Sequence, residues 1–286
     1  MIVITGATGQ LGTKIVDQLL ALVPAPEIGV SVRDVGRAAG LAERGVRVRR
    51  GDFNEPESLA GAFEGASRVL VISSNETGAD AVAQHVAAID AARAAGAERV
   101  LYTSHQASAT DSRFAPMPDH ARTEAYLREQ GGAFTSLRNG FYTSTVGWLV
   151  GQAATTGTLV APADGPVSWT THDDLAEAAA IALADDGRLD GITAPLTAPE
   201  AIDLEAVAAI LSDLVGRTVT RVVVDDEEYR ATMIAHGAPE QRADFLLGLF
   251  AATRRGEFDV TDPTLERLLD RPALSVRAVL ARLVGA

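Results

Sequence analysis

Met1-Ile2-Val3-Ile4-Thr5-Gly6-Ala7-Thr8-Gly9-Gln10-Leu11-Gly12 is the stretch that decides the fold. The apolar run Ile2–Ile4 reads as a strand buried on both faces. Leu11, Ile15, Val16, Leu19 and Leu20 then recur at helical spacing. Between strand and helix stand three glycines with separate duties. Gly6 turns the chain sharply off the strand. Gly9 has no side chain to keep a pyrophosphate from the backbone, and Gly12 lets the helix lie close to the sheet. The helix then aims its free N–H groups and positive dipole end at a phosphate.

Outward from this unit, strand and helix patterns alternate. Residues 27–33, 46–49, 69–72, 100–102 and 134–137 read as strands, with helices between them, notably 79–95 and 119–129. Residues 105–117 read as an irregular polar loop. Such alternation implies an α/β fold, a doubly wound parallel sheet with right-handed crossovers. After Gly140 the expected elements are a helix over 142–154, a short strand at 159–160 and a helix over 174–184 capped by Thr171 or Asp173. Residues 192–196 are candidates to rejoin the main sheet, 204–215 is amphipathic, 218–224 is strand-like, and the remainder is mostly helical. The expected plan is a dinucleotide-binding domain over 1–150 and a smaller substrate-covering domain over 151–286, with a soft boundary because the chain can cross back.

Composition narrows the function. A formal net charge of −13 argues against nucleic acid as a ligand. No cysteine is present, which excludes disulfides and thiolate metal sites and points to the cytoplasm. No metal site is expected. No basic leader precedes the first strand and no apolar run is long enough to span a bilayer, so neither a secretory signal nor a membrane partner is expected. Alanine-rich helices such as 79–95 could pack on the sheet or on a second copy, which leaves a homodimer possible.

In a dinucleotide fold, the residue ending the second strand reads the ribose 2′ position. Arg33 stands there, with Arg37 as a second positive charge, and an arginine suits the 2′-phosphate of NADP(H). Asp34 would oppose that phosphate if it pointed inward. Asp52 could accept from an adenine amino group or serve only as a turn residue. Ligands of such sheets lie beyond the carboxyl ends of the strands. The candidates there are Ser73, Ser74 and Asn75, then Thr103, Ser104 and His105, then Asn139, Gly140, Phe141 and Tyr142. The loop residues Gly6, Ala7, Thr8, Gly9, Gln10, Leu11 and Gly12 complete the cofactor set.

The Gly-x-x-Gly-x-x-Gly spacing resembles the short-chain dehydrogenase/reductase superfamily, and Thr5–Gly12 resembles its NmrA-like, atypical branch. The Rossmann fold is what that resemblance implies. Typical members use a Tyr-x-x-x-Lys pair, in which the lysine lowers the phenol pKa for proton transfer. That pair is absent. Lys14 is the only lysine and belongs to the first helix; His120-Ala121-Arg122-Thr123-Glu124 stands where the pair would be. Ketone reduction creates an alkoxide, whose parent acid has a pKa near ~16. Quinone reduction creates a phenolate-like anion, with a parent pKa near ~10. The gap is worth about 8 kcal/mol in anion stability, so a conjugated acceptor has much less need of a protein acid.

Val32-Arg33, Ile72-Ser73-Ser74, Tyr102-Thr103-Ser104 and Leu137-Arg138-Asn139-Gly140 extend the resemblance to flavin-free quinone reductases of the branch. It implies NADPH binding and reduction of a quinone or other aromatic acceptor. His105-Gln106 departs from the pattern, in a loop that could shape the acceptor site. The alternatives are an NADP(H)-binding redox sensor without turnover, or a reductase of azo, triphenylmethane or isoflavone-like compounds. Two residues are candidate catalytic groups. His105 could donate to the reduced oxygen or be an exposed loop histidine. Tyr142 could stack on the acceptor or pack the core. Trp148 and Trp169 read as packing, and His120 and Glu124, one turn apart, as a solvated helix face.

Overall fold

All four residues of β1 (Ile2–Thr5) are buried, and the strand pairs in parallel with a neighbour on each side. A computed structural model, which describes residues 1–185 and 187–286, sets it inside a seven-stranded sheet. The remaining strands are β2 (Ile28–Val32), β3 (Arg47–Arg50), β4 (Arg68–Val71), β5 (Arg99–His105), β6 (Ala133–Asn139), β7 (Phe141–Tyr142), β8 (Thr158–Pro162), β9 (Trp169–Thr170), β10 (Gly191–Ile192) and β11 (Thr220–Val224). The sheet runs β10-β6-β5-β4-β1-β2-β3, and every pairing in it is parallel. Its order reverses between β1 and β4, which opens a crevice at the carboxyl ends of those strands.

The helices that cover the sheet's two faces early in the chain are α1 (Gln10–Leu20), α2 (Ala39–Glu43), α3 (Glu57–Phe63), α4 (Ala79–Ala94) and α5 (Pro116–Gln130). Then come α6 (Thr143–Val150), α7 (Ala153–Thr156), α8 (His172–Ala184), α9 (Leu204–Val215), α10 (Asp226–Ala235), α11 (Glu240–Arg254), α12 (Thr264–Leu269) and α13 (Val276–Val284). The two-residue period of β1 sorts the layers. Ile2 and Ile4 face Ile15, Leu19, Leu183 and Leu265, from α1, α8 and α12. Val3 faces the other way, onto Leu59, Phe63 and Ile89 of α3 and α4.

A third cluster, including Phe141, Val146, Leu159, Trp169, Val207, Phe250, Phe258 and Leu280, forms the core of the smaller lobe. A single cut at residue 150 does not separate the cores, because α8, β10 and α12 return to the sheet layer. The return is held at one point by Lys14, whose ammonium meets Asp173 of α8 at 2.5 Å.

Two local differences from the sequence reading have simple causes, and one alternative it left open is decided. α5 begins at Pro116 rather than near Asp119, because proline is tolerated in a first helical turn that needs no N–H bond. The helix expected over 142–154 divides at Gly151, which takes φ +45°. Thr171, not Asp173, caps α8: its hydroxyl accepts from the Asp174 amide at 3.1 Å.

A larger correction concerns Glu124. It is buried rather than solvated, at 3% exposure. Its Oε1 accepts from Ser104 Oγ at 2.8 Å, Ser136 Oγ at 3.1 Å and Arg138 Nε at 2.9 Å. Its Oε2 accepts from Arg138 Nη2 at 2.6 Å and Ser108 Oγ at 3.2 Å. Five hydrogen bonds satisfy this buried carboxyl group, and they lock α5 onto the ends of β5 and β6. Glu124→Ala leaves Arg138 without its counter-charge and is expected to cost roughly 3 kcal/mol in urea unfolding. A loss below roughly 1 kcal/mol would show that the network carries little of the docking.

Candidate functional site

The glycine loop is built as tightly as its spacing requires. Gly6 takes φ +61°, and a Cβ on Gly12 would lie 2.2 Å from the Gly6 carbonyl oxygen. Thr13 Oγ1 ties the loop down by donating to the Ala7 carbonyl at 3.1 Å. The first turn of α1 carries no acidic residue and no side-chain cap, so its N–H groups are left to an anion.

Beside this loop lies a cleft of about 350 Å³ lined by Ala7, Thr8, Thr13, Arg37, Gly40, Leu41 and Arg44. Both Arg33 and Arg37 are exposed, and of the two Arg37 lines the cleft. Asp34 is engaged within its own turn, where its Oδ1 accepts from the Gly36 amide at 2.9 Å. Asp52 Oδ1 is engaged in a local turn with the Asn54 amide at 3.0 Å, which leaves its second oxygen for a ligand.

Across the crevice the strand ends are shaped by hydroxyl groups. Thr103 Oγ1 accepts from the Ser73 amide at 2.8 Å and donates to Ser73 Oγ at 3.2 Å. The Ser74 hydroxyl bonds Gln84 and accepts from the Glu76 amide, so it holds the loop. Asn75 is exposed. Gly140 fits only as glycine, since a Cβ would lie 2.1 Å from Thr170 Oγ1. Asn139 is 2% exposed, and neither Oδ1 nor Nδ2 of its amide has a well-formed hydrogen bond, although the Tyr142 phenol lies within its influence. A buried amide with both ends unpaired is costly and marks a place for a polar ligand.

His105 ends β5 among aromatic rings, edge-on to Phe141 at 5.1 Å and to Phe258 at 5.5 Å. Its Nδ1 accepts from the Ala107 amide at 3.3 Å. Burial first, and His120 second, hold its pKa well below the usual imidazole range. The ring is therefore neutral, with its proton on Nε2. Tyr142 stacks on His172 at 4.1 Å, and burial pushes its phenol pKa up. Its phenol therefore stays protonated, stacked beside the strand ends. Trp169 is packed, with Nε1 donating to the Ile202 carbonyl at 3.2 Å. Trp148 is not packed as expected: it is 46% exposed beneath Arg242.

His120 also departs from the solvated face expected of it. Its Nδ1 lies 2.7 Å from the Tyr102 hydroxyl, and burial lowers its pKa to about 4. His85, which the sequence reading passed over as part of an alanine-rich helix, is buried behind Tyr102 with its pKa lowered to about 3. Phe258 was equally hidden, because it reaches the site from the distant C-terminal lobe. Among the described residues no cluster of metal-binding side chains occurs.

Residues 1–271 match the NmrA-like family. The chain belongs to that family. It is 33% identical over 284 residues to quinone oxidoreductase 2 of Escherichia coli, covering 99% of this chain and 98% of that protein. The crystal structure of the E. coli enzyme complexed with NADPH superposes with a TM-score of 0.93 at 31% identity, covering all of both chains. That of Citrobacter sp. triphenylmethane reductase complexed with NADP(H) gives a TM-score of 0.92 at 33% identity, covering 99% of this chain and 100% of that one. This NmrA-like chain thus shares its whole fold with dinucleotide-bound reductases.

Four of the five histidines, His85, His105, His120 and His172, have pKa values lowered chiefly by burial. Folded, they take up protons at lower pH than in the unfolded chain, where imidazole pKa values are about 6.5. Their contribution to stability is full above about pH 6.5 and declines as pH falls toward the lowered values. Urea unfolding between pH 5 and 6.5 should show an uptake of about three protons per chain. A slope below about one proton would contradict the neutral-histidine assignment.

Proposed function

We propose that this protein is an NADPH-dependent oxidoreductase that reduces quinone-like, conjugated acceptors. The observation that carries this reading is the neutral His105, which presents Nε2–H at the carboxyl edge of the sheet, where acceptor charge would develop. The unpaired Asn139 amide, the uncapped start of α1 and the arginine-lined cleft support a dinucleotide running across that edge. Gly6, Ala7, Thr8, Gly9, Gln10, Leu11 and Gly12 would hold the pyrophosphate. Arg37, with Arg33, would hold the 2′-phosphate, and the free oxygen of Asp52 would take the adenine amino group. Ser73, Ser74, Asn75, Thr103, Asn139, Gly140 and Phe141 would line the nicotinamide half.

When bound, NADPH supplies a hydride and its electron pair. The chain's own residues orient the acceptor, exclude water through Phe141, Phe258 and Tyr142, and give hydrogen bonds to the oxygen that becomes anionic. The relatives named for quinone and triphenylmethane reduction favour turnover over a sensor role. A cytoplasmic setting and a homodimer belong to the same reading. The alanine-rich flank of α4 is the face offered to a second copy, and light scattering on the purified chain would check it.

NADPH oxidation should proceed with quinones and fail with simple ketones. The reverse pattern, or dinucleotide binding with no oxidation by any acceptor, would overturn the reading. Arg37→Ala should weaken NADPH by about 10- to 100-fold and leave NADH unchanged, with a smaller effect for Arg33→Ala. An unchanged NADPH preference in the double variant would remove the arginine assignment.

A further inference from the structure

Directional hydrogen bonds around the buried histidines can be followed from one fixed donor. The backbone amide of Ser74 can only donate, and it donates to His85 Nε2 at 2.9 Å. Neutral His85 therefore carries its proton on Nδ1. That proton is directed to Thr123 Oγ1 at 3.0 Å, which in turn donates to the Asp119 carbonyl at 2.9 Å, and to the Tyr102 oxygen at 3.3 Å. The Tyr102 hydroxyl is then left to donate its own proton to His120 Nδ1 at 2.7 Å. His120 in consequence holds its proton on Nε2. A second backbone amide, that of Ala107, imposes the same tautomer on His105. The two imidazoles lie nearly parallel, 25° apart with centroids at 6.2 Å. Neither Nε2 has a protein partner, and neither is among the buried polar atoms left unpaired, so both N–H groups keep some accessible surface.

We propose that His120 and His105 together form a two-imidazole donor site for the acceptor oxygen, with Tyr102 and His85 as positioning residues that fix the His120 tautomer. The proposal rests on the quinone-reductase reading above. In the step concerned, NADPH is oxidised to NADP⁺ and the acceptor gains a hydride with its electron pair. The negative charge arrives on the acceptor oxygen, which accepts hydrogen bonds from both Nε2–H groups and takes its proton from water. Neither histidine changes its protonation state. Two preorganised N–H donors aimed at a developing oxyanion are a common form of transition-state stabilisation. Here side chains supply them from α5 and the end of β5.

The test compares two acceptors on NADPH-saturated protein. Reduction of a quinone creates an oxyanion, whereas hydride addition to a cationic triphenylmethane dye creates a neutral product. His120→Phe should lower kcat for the quinone by about 10- to 100-fold and leave kcat for the dye unchanged. Tyr102→Phe should lose about tenfold on the quinone alone, and His120→Gln, which restores an N–H donor, should recover most of the loss. A turnover-independent arm measures 4-nitrophenolate binding to the NADP⁺-loaded protein by calorimetry. About tenfold weaker binding in His120→Phe is expected, even if no acceptor is ever turned over. Equal losses on quinone and dye, or unchanged quinone kcat and phenolate affinity, would overturn the proposal. Absence of turnover in the unaltered protein with phenolate binding still dependent on His120 would instead count against the reductase reading alone.

Discussion

Everything at the crevice depends on how closely α1 approaches the turn that follows β1. A methyl group at position 12 would stand 2.2 Å from the Gly6 carbonyl oxygen, so a side chain there would push the helix outward. With glycine, the helix start sits directly over the end of the central strand, and its unpaired N–H groups face the point where the sheet order reverses. The rest of the molecule keeps that approach in place. β1 is buried on both faces, and α8 returns from the second half of the chain to press on α1.

The second constraint lies at the other side of the crevice. Reductases with a tyrosine–lysine pair carry a titrating acid on the helix that here is α5. This chain places an imidazole and a carboxylate on that helix, the carboxylate fully buried and the imidazole partly so. Glu124 is spent on Arg138 and three serine hydroxyls, so it fastens the helix. His120 is kept neutral by burial and offers a hydrogen bond rather than a proton. A site of neutral donors suits acceptors that delocalise their own charge.

Much of this was legible in the sequence, and what was not has identifiable causes. The glycine spacing, the apolar strand runs and the missing Tyr-x-x-x-Lys pair are local features, and local features survive in a linear reading. His120 and Glu124 looked like a solvated pair because an i, i+4 polar pair is commonest on an exposed face. Only the pairing of β5 with β6, which brings Ser104, Ser136 and Arg138 together, shows that this face points inward. In the sequence Arg37 is only a secondary charge, and the short turn after β2, pinned by Asp34, is what carries it to the cleft. Phe258 joins His105 across 153 positions of chain, a distance no periodicity encodes.

The most direct measurement is hydride transfer from NADPH to a quinone in a single turnover, followed by stopped flow in H₂O and D₂O with protiated and 4-deuterated cofactor. With no protein acid moving a proton in the transition state, deuterium on the cofactor should slow the step severalfold while D₂O leaves it nearly unchanged. A large solvent isotope effect on that same step would mean that a protein acid delivers its proton as the hydride arrives, and would contradict reduction by positioning and neutral hydrogen bonds.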